Sequence, residues 1–184
     1  MSTTLSSERL ILRPWREDDL DALAQLCADP EVMAHFPATL DRAGSAELLA
    51  RLMAHQAEHG FTFWALQRRE DAAFVGFTGL ARVGFAAPFV PAVEIGWRLA
   101  RPYWGRGYAL EAARRALQFA FEDLQLDEVV SFTVPANQRS WGLMQRLGMH
   151  RDAAGDFEHP NLPVGHPLRP HWLYRIERDS RAGG

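Results

Sequence analysis

The stretch that decides the fold reads Tyr103-Trp-Gly-Arg-Gly-Tyr-Ala-Leu-Glu-Ala112, with two glycines one residue apart at its centre. A strand-like run, Val93 to Leu99, precedes it, and a helical pattern from Tyr108 to about Leu124 follows. A glycine loop before a helix exposes unpaired backbone N–H groups at the positive end of the helix dipole. The pattern predicts an anion site, and the alternative is that Gly105 and Gly107 only form a turn.

A dinucleotide-binding loop is a weaker interpretation of the same glycines. Such a loop has a third glycine where Leu110 stands, lies near the start of the chain, and is followed by a strand that ends in an acid. Here Asp127 and Glu128 open the next strand instead of closing it. The sequence therefore disfavours a nicotinamide dehydrogenase.

Hydrophobic periodicity on both sides of the loop predicts a mixed α/β domain over residues 1–178 and a flexible tail at 179–184. The predicted strands are residues 9–13, 61–66, 74–83, 93–99, 127–134 and 171–176, and the predicted helices are 17–28, 43–58, 108–124 and 137–147. Three consecutive strands, from 61 to 99, should run antiparallel. The long helix before 127–134 predicts that this strand lies parallel to 93–99 through a right-handed crossover.

Composition excludes several function classes. The 184 residues carry a net charge of -3, which disfavours a nucleic-acid partner. All 20 positive residues are Arg, so neither a Schiff-base lysine nor a P-loop lysine can be supplied. One cysteine, Cys27, excludes an internal disulfide and a multi-cysteine zinc cluster, and we expect it to pack in the core of its helix.

No targeting or membrane segment is predicted. The first 12 residues lack the basic and apolar segments of a signal peptide, and the apolar run from Val83 to Val93 is short and interrupted by two prolines. We therefore expect a cytoplasmic protein without a membrane partner. Three late histidines, His159, His166 and His171, lack the short paired spacing of zinc ligands, so no metal is predicted.

Two blocks of sequence resemble one known family. The segment from Glu94-Ile-Gly-Trp through the glycine loop to Ala112 resembles the coenzyme A loop of GNAT-superfamily N-acetyltransferases, in particular their RimJ/RimL-like branch. The block Asn137-Gln-Arg-Ser140-Trp-Gly-Leu-Met-Gln-Arg-Leu-Gly148-Met is similar to that branch's Asn-x-x-Ser and following helix. Ser7 to Arg13 also fits, so the likeness covers nearly the whole chain. Pro102 departs from the superfamily's usual Gln or Arg, which puts one side-chain contact in doubt.

The resemblance implies a mostly antiparallel, twisted sheet with helices on both faces and a central parallel strand pair splayed around acetyl-CoA. It implies acetyl-CoA as the cosubstrate, no metal, and a possible homodimer. The residues that it places against coenzyme A are Trp104, Gly105, Arg106, Gly107, Tyr108, Ala109 and Asn137. By spacing alone, Asn137 could be only a helix cap.

Acetyl transfer to an amine needs a base for the amine and a proton for the departing thiolate. Glu94 begins the strand that leads to the glycine loop, and the resemblance implies that it acts as the base through water; the alternative is an exposed or ion-paired carboxylate. The resemblance implies that the Ser140 hydroxyl donates the proton to the thiolate. Among the tyrosines that flank the loop, Tyr103 and Tyr108, the second is the next candidate.

The predicted activity is direct transfer of an acetyl group to a primary amine, and the alternative is a non-catalytic acyl-CoA-binding module on the same fold. The acceptor is left open among protein N-terminal amines and small-molecule amines. The loops 29–41 and 155–170 are the expected substrate-facing segments, and neither carries an acidic cluster that would select a polycation.

Overall fold

Residues 3–178 are described by the structure, a computed structural model, and the tail predicted at 179–184 lies outside them. Within this range there are four α-helices, α1 (Leu20–Ala28), α2 (Arg42–His59), α3 (Tyr108–Glu122) and α4 (Gln138–Arg146). The strands are β1 (Leu5–Ser6), β2 (Leu10–Arg13), β3 (Phe63–Arg68), β4 (Phe74–Arg82), β5 (Val93–Leu99), β6 (Glu128–Thr133), β7 (His150–Arg151), β8 (Phe157–Glu158) and β9 (Pro170–Glu177).

The predicted helices and longer strands are confirmed, with ends that shift by up to three residues. The strand predicted at 61–66 lies two residues later, because Gln67 and Arg68 pair with Ile11 and Leu10 although they are polar. Strands β1, β7 and β8 were not predicted, since two residues are too few to show an alternation.

The strand order is β1-β2-β3-β4-β5-β6-β9-β7, and β8 pairs with β9. Every pairing is antiparallel except β5 with β6, which are parallel neighbours joined through α3, as predicted. Their ladder is limited to one residue pair, Glu94 with Val130, and the Ser131 hydroxyl donates to the Ile95 carbonyl at 2.8 Å. Beyond that point the two strands are free of each other toward their carboxyl ends.

Helices cover both faces of the sheet. Helix α3 lies on one face, where small buried residues such as Ala113 and Ala116 bring it close to Ile95 and Trp64. Helices α1 and α2 cover the other face and form a second core that includes Cys27, which is buried as predicted. Within residues 3–178, no helix combines the length and apolar character needed to cross a membrane.

Glycine is required where β4 passes β5. Gly76 has φ of +139°, and a Cβ built on it would lie 2.2 Å from the carbonyl oxygen of Arg98. A side chain there would displace β5. The close approach fixes the carboxyl end of β5, from which the chain enters the glycine loop.

Candidate active site

The loop between β5 and α3 presents an uninterrupted row of backbone donors. Gly105 and Gly107 have φ of +71° and +80°, and Gly107 is the N-cap of α3. The N–H groups of residues 105–110 find no acceptor in the described part of the chain. The positive end of the α3 dipole adds to this row. The geometry is that of a phosphate cradle.

A carboxylate behind the loop holds it to the N-terminal strands. Glu111 accepts hydrogen bonds from the Ser7 hydroxyl at 2.6 Å and from the backbone N and Nε of Arg9, both at 2.7 Å. Arg9 then donates through Nη1 to the Arg106 carbonyl at 3.0 Å. This network was not predicted, because nothing in the spacing of residues 7, 9 and 111 shows that they meet.

Positive charge collects beside the loop. The indole of Trp104 donates to the Leu99 carbonyl at 2.8 Å, and the guanidiniums of Arg101 and Arg139 lie 5.3 and 4.5 Å from its ring. Arg101 is paired with Glu31, whereas Arg106 and Arg139 form no ion pair with any residue from 3 to 178. Two guanidiniums are therefore free to meet an anion near the cradle.

Asn137 caps helix α4, which is the structural role that its spacing allowed. Its Oδ1 accepts from the Ser140 backbone N–H at 3.3 Å, and its Nδ2 donates to the Thr133 hydroxyl at 3.1 Å. The Ser140 hydroxyl itself has no hydrogen-bond partner among the described residues. The cap turns the Ser140 side chain toward the gap between β5 and β6, where it lines a cavity.

A cavity of about 360 Å³ occupies the α1/α2 face of this gap. Glu94 and Ser140 both line it, so the structure brings together the two side chains with predicted catalytic roles. The loops 29–41 and 155–170 supply other parts of its wall. The glycine cradle follows β5 on the carboxyl side of the same gap.

The carboxyl of Glu94 faces this cavity without a protein partner. It is half-buried, and no residue among 3–178 offers it a hydrogen bond or an ion pair. Burial raises the pKa of Glu94 from 4.5 to about 8. The carboxyl is thus neither ion-paired nor freely exposed, and its proton affinity near neutral pH suits a general base.

The two tyrosines point elsewhere. Tyr108 is buried in the core on the α3 side, with the Arg9 guanidinium 4.6 Å from its ring centroid. Tyr103 packs near it, 5.5 Å from the Arg68 guanidinium. Neither side chain lines the cavity that Glu94 and Ser140 share.

Several cavity residues were not predicted as site residues. They are His35, Phe36, Arg98, His159 and His171. Burial lowers the pKa of all three imidazoles and so favours their neutral form. They come from segments far apart in sequence, and only Arg98 carried a signal, since strand alternation places it on the same face as Glu94.

Comparison with known proteins agrees with this geometry. Residues 9–150 match the family model described as "Acetyltransferase (GNAT) domain". The chain is 32% identical over 154 residues to FsC-acetyl coenzyme A-N(2)-transacetylase from Aspergillus fumigatus, covering 79% of this chain and 64% of that protein.

Solved structures show the same architecture. An acetyltransferase from Agrobacterium tumefaciens is 28% identical with a TM-score of 0.77, over 96% of this chain and 95% of that one. RimJ from Mycobacterium smegmatis in complex with CoA-disulfide has a TM-score of 0.75 at 22% identity, over 96% and 88% of the two chains. The match of the family model over most of the sequence shows that this chain belongs to the GNAT family of acetyl-CoA-dependent N-acetyltransferases.

Proposed function

We propose that this chain moves the acetyl group of acetyl-CoA directly to a primary amine, with Glu94 as the general base and Ser140 as the proton donor to the thiolate. The observation that carries the proposal is the position of Glu94. Its unpartnered carboxyl faces the cavity at the last point where β5 and β6 are paired, and its pKa is raised to about 8.

The coenzyme would bind on the loop side of the gap. The N–H groups of residues 105–110 suit a pyrophosphate, and Arg106 and Arg139 add positive charge. Trp104, Tyr108 and Ala109 contribute through the backbone and by shaping the loop. Because both ends of the Asn137 amide are already hydrogen-bonded, we expect Asn137 to act on the coenzyme chiefly by orienting α4.

The reaction on the cavity side is a direct displacement. The amine nitrogen forms a bond to the thioester carbon while the Glu94 carboxylate accepts the proton of the amine, directly or through water. The carbon–sulfur bond then breaks, and the Ser140 hydroxyl gives its proton to the sulfur. Solvent reprotonates Ser140 and takes the amine's proton from Glu94, which restores both side chains. No acyl-enzyme is required, since the only thiol, Cys27, is buried in the second core.

Thiol release from acetyl-CoA, measured across a panel of primary amines, tests the proposal. We expect Glu94→Gln to bind acetyl-CoA like the wild type and to lose about 10²- to 10⁴-fold in turnover, the usual contribution of general acid-base catalysis. Glu47→Gln, an exposed carboxylate on α2, is the matched control and should keep full activity. Wild-type turnover in Glu94→Gln, or acetyl-CoA binding without turnover of any amine by the wild type, would contradict it.

A further inference from the structure

The guanidinium of Arg98 has no anionic partner among residues 3–178. It lies on β5, on the same face as Glu94, and its Nη1 donates to the thiol sulfur of Cys27 at 3.2 Å. Its Cζ lies 4.2 Å from the ring centroid of Phe36 and 5.0 Å from that of Phe77. Its Nε is buried and has no acceptor, and no carboxylate among residues 3–178 forms an ion pair with it.

An unpaired buried guanidinium is costly, because arginine stays protonated and loses its hydration. Two other partly buried guanidiniums are paired: Arg13 meets Asp19 at 2.7 Å, and Arg175 meets Asp152 at 2.7 Å. Burial lowers the pKa of Arg98, and the two aromatic faces offset only part of the lost hydration. An anion from outside the chain would offset this cost.

The cavity offers space for that anion. Arg98, Phe36 and Phe77 line the same 360 Å³ cavity as Glu94, a size within the range of small-molecule sites. Glu94 is the only carboxylate in its wall among the described residues. A polycation would meet one carboxylate and be repelled by Arg98, whereas a molecule with one amine and one anionic group would match both charges.

We propose that the acceptor is a small amine that also carries an anionic group, a carboxylate or an equivalent oxyanion, which Arg98 binds while Glu94 faces the amine. The inference rests on the proposed function and adds the class of substrate. Four residues of extended strand separate the Cα atoms of Glu94 and Arg98 by about 13 Å. The part of the acceptor between its two charged groups would lie against the rings of Phe63 and Phe77, so it should be apolar.

Matched acceptor pairs that differ only in the carboxylate test the proposal. Suitable pairs are 4-(aminomethyl)benzoate with benzylamine, and 6-aminohexanoate with hexylamine. We expect the wild type to favour the carboxylate member of at least one pair by 10-fold or more in kcat/KM, as a charge-assisted hydrogen bond provides. Arg98→Met should bring that ratio to about 1 by slowing the carboxylate member alone, and Arg98→Lys should restore part of it.

A purely structural Arg98 would slow both members of each pair equally, so the ratio separates the two roles. Arg114→Met, on the exposed face of α3, is the control and should keep the wild-type ratio. If Arg98→Met fails to fold, inhibition of the wild type by 3-phenylpropionate is compared with inhibition by 3-phenylpropanamide. Stronger inhibition by the carboxylate supports the proposal.

Equal rates within every pair, an unchanged ratio in Arg98→Met, or equal inhibition by acid and amide would each overturn the inference. If neutral amines are still acetylated and Glu94→Gln is still slow, the proposed function stands and only the substrate class is wrong. If no amine of either kind is acetylated, the proposed function itself fails, and calorimetric binding of 3-phenylpropionate compared with 3-phenylpropanamide then decides whether Arg98 binds an anion.

Discussion

The two sides of the gap between β5 and β6 differ in the groups that they present: backbone N–H groups on one side and side chains on the other. On the loop side, consecutive backbone N–H groups of residues 105–110 form the cradle, so the coenzyme binding that we propose there depends on chain conformation. On the cavity side, the acceptor binding that we propose depends on side chains from β5, α4 and the loops 29–41 and 155–170. A backbone site suits a constant partner, whereas a side-chain site can be changed one residue at a time. Under the proposed function, the loop side binds the coenzyme and the cavity side selects the acceptor.

The largest effect on the loop side is expected from Gly107→Val. Gly107 has φ of +80°, and a Cβ there would come within 3.4 Å of Arg9 Nη2. A β-branched residue is strained at this φ and narrows the approach to the cradle, so we expect the Kd for coenzyme A to rise about 100-fold. Calorimetry with coenzyme A measures this. Gly84→Val, at a glycine with open space, is the control, and equal Kd values for the two variants would show that the loop is not the phosphate site.

On the cavity side, Glu94→Gln should stabilise the protein at high pH. Because the folded pKa of Glu94, about 8, lies above its ordinary 4.5, the folded chain keeps a proton that the unfolded chain releases between these pH values. Stability therefore falls as pH rises through this window, and glutamine escapes the penalty.

We expect Glu94→Gln to gain about 2 kcal/mol at pH 9 and little at pH 5, less than the full shift implies because the carboxyl faces an open cavity. Denaturant unfolding at the two pH values measures the difference. Glu47→Gln should show no such pH dependence. A gain of equal size at both pH values would mean that Glu94 is not desolvated in the folded state.

A smaller effect, confined to coenzyme A binding, is expected from Glu111→Gln. The amide keeps the shape of the side chain but loses the ion pair with Arg9, which holds the Arg106 carbonyl. We expect the Kd for coenzyme A to rise about 10-fold, in line with the loss of one charge-assisted contact, while the KM for the amine is unchanged. A change in the KM for the amine alone would show that Glu111 affects the acceptor site and not the coenzyme site.

The smallest effect is expected from Ser140→Ala. The cap of α4 uses the backbone N–H of Ser140, so alanine keeps the helix start and removes only the hydroxyl. We expect turnover to fall less than 10-fold, since water can protonate the thiolate in its place. Steady-state rates at saturating acetyl-CoA measure this, and Ser6→Ala, an exposed serine of β1, is the control. A changed Kd for coenzyme A with unchanged turnover would assign the hydroxyl to binding.

The same contrast explains what could be predicted from sequence. The parallel pair depends on a local signal, the crossover helix before β6, and was predicted correctly. The two glycines and the spacing of Asn137 are also local signals. The cap at Asn137 is the alternative role that its spacing allowed, and coenzyme binding by the loop and by Asn137 stays a prediction. The cavity depends on contacts between residues distant in sequence, such as Arg98 with Phe36 and Cys27. No sequence periodicity indicates such contacts, so neither the three cavity histidines nor Arg98 were predicted as site residues. Glu94 was predicted because it lies on the strand that leads to the loop and because the family resemblance implies a base at this position.

The central claim is that Glu94 is the base, and a pH profile of kcat/KM tests it most directly. Two amines whose own pKa values differ are used, so that a limb belonging to the enzyme can be told from one belonging to the acceptor. For the wild type we expect kcat/KM to rise through a pKa near 8 with both amines, because the carboxylate must be ionised to accept the proton.

In Glu94→Gln the rise of kcat/KM through a pKa near 8, which both amines share in the wild type, should disappear. The remaining rate should follow the pKa of each amine, and the deficit should shrink where the amine is already neutral in solution. If Glu94→Gln keeps the limb near pH 8, or keeps the wild-type rate across the pH range, Glu94 is not the base.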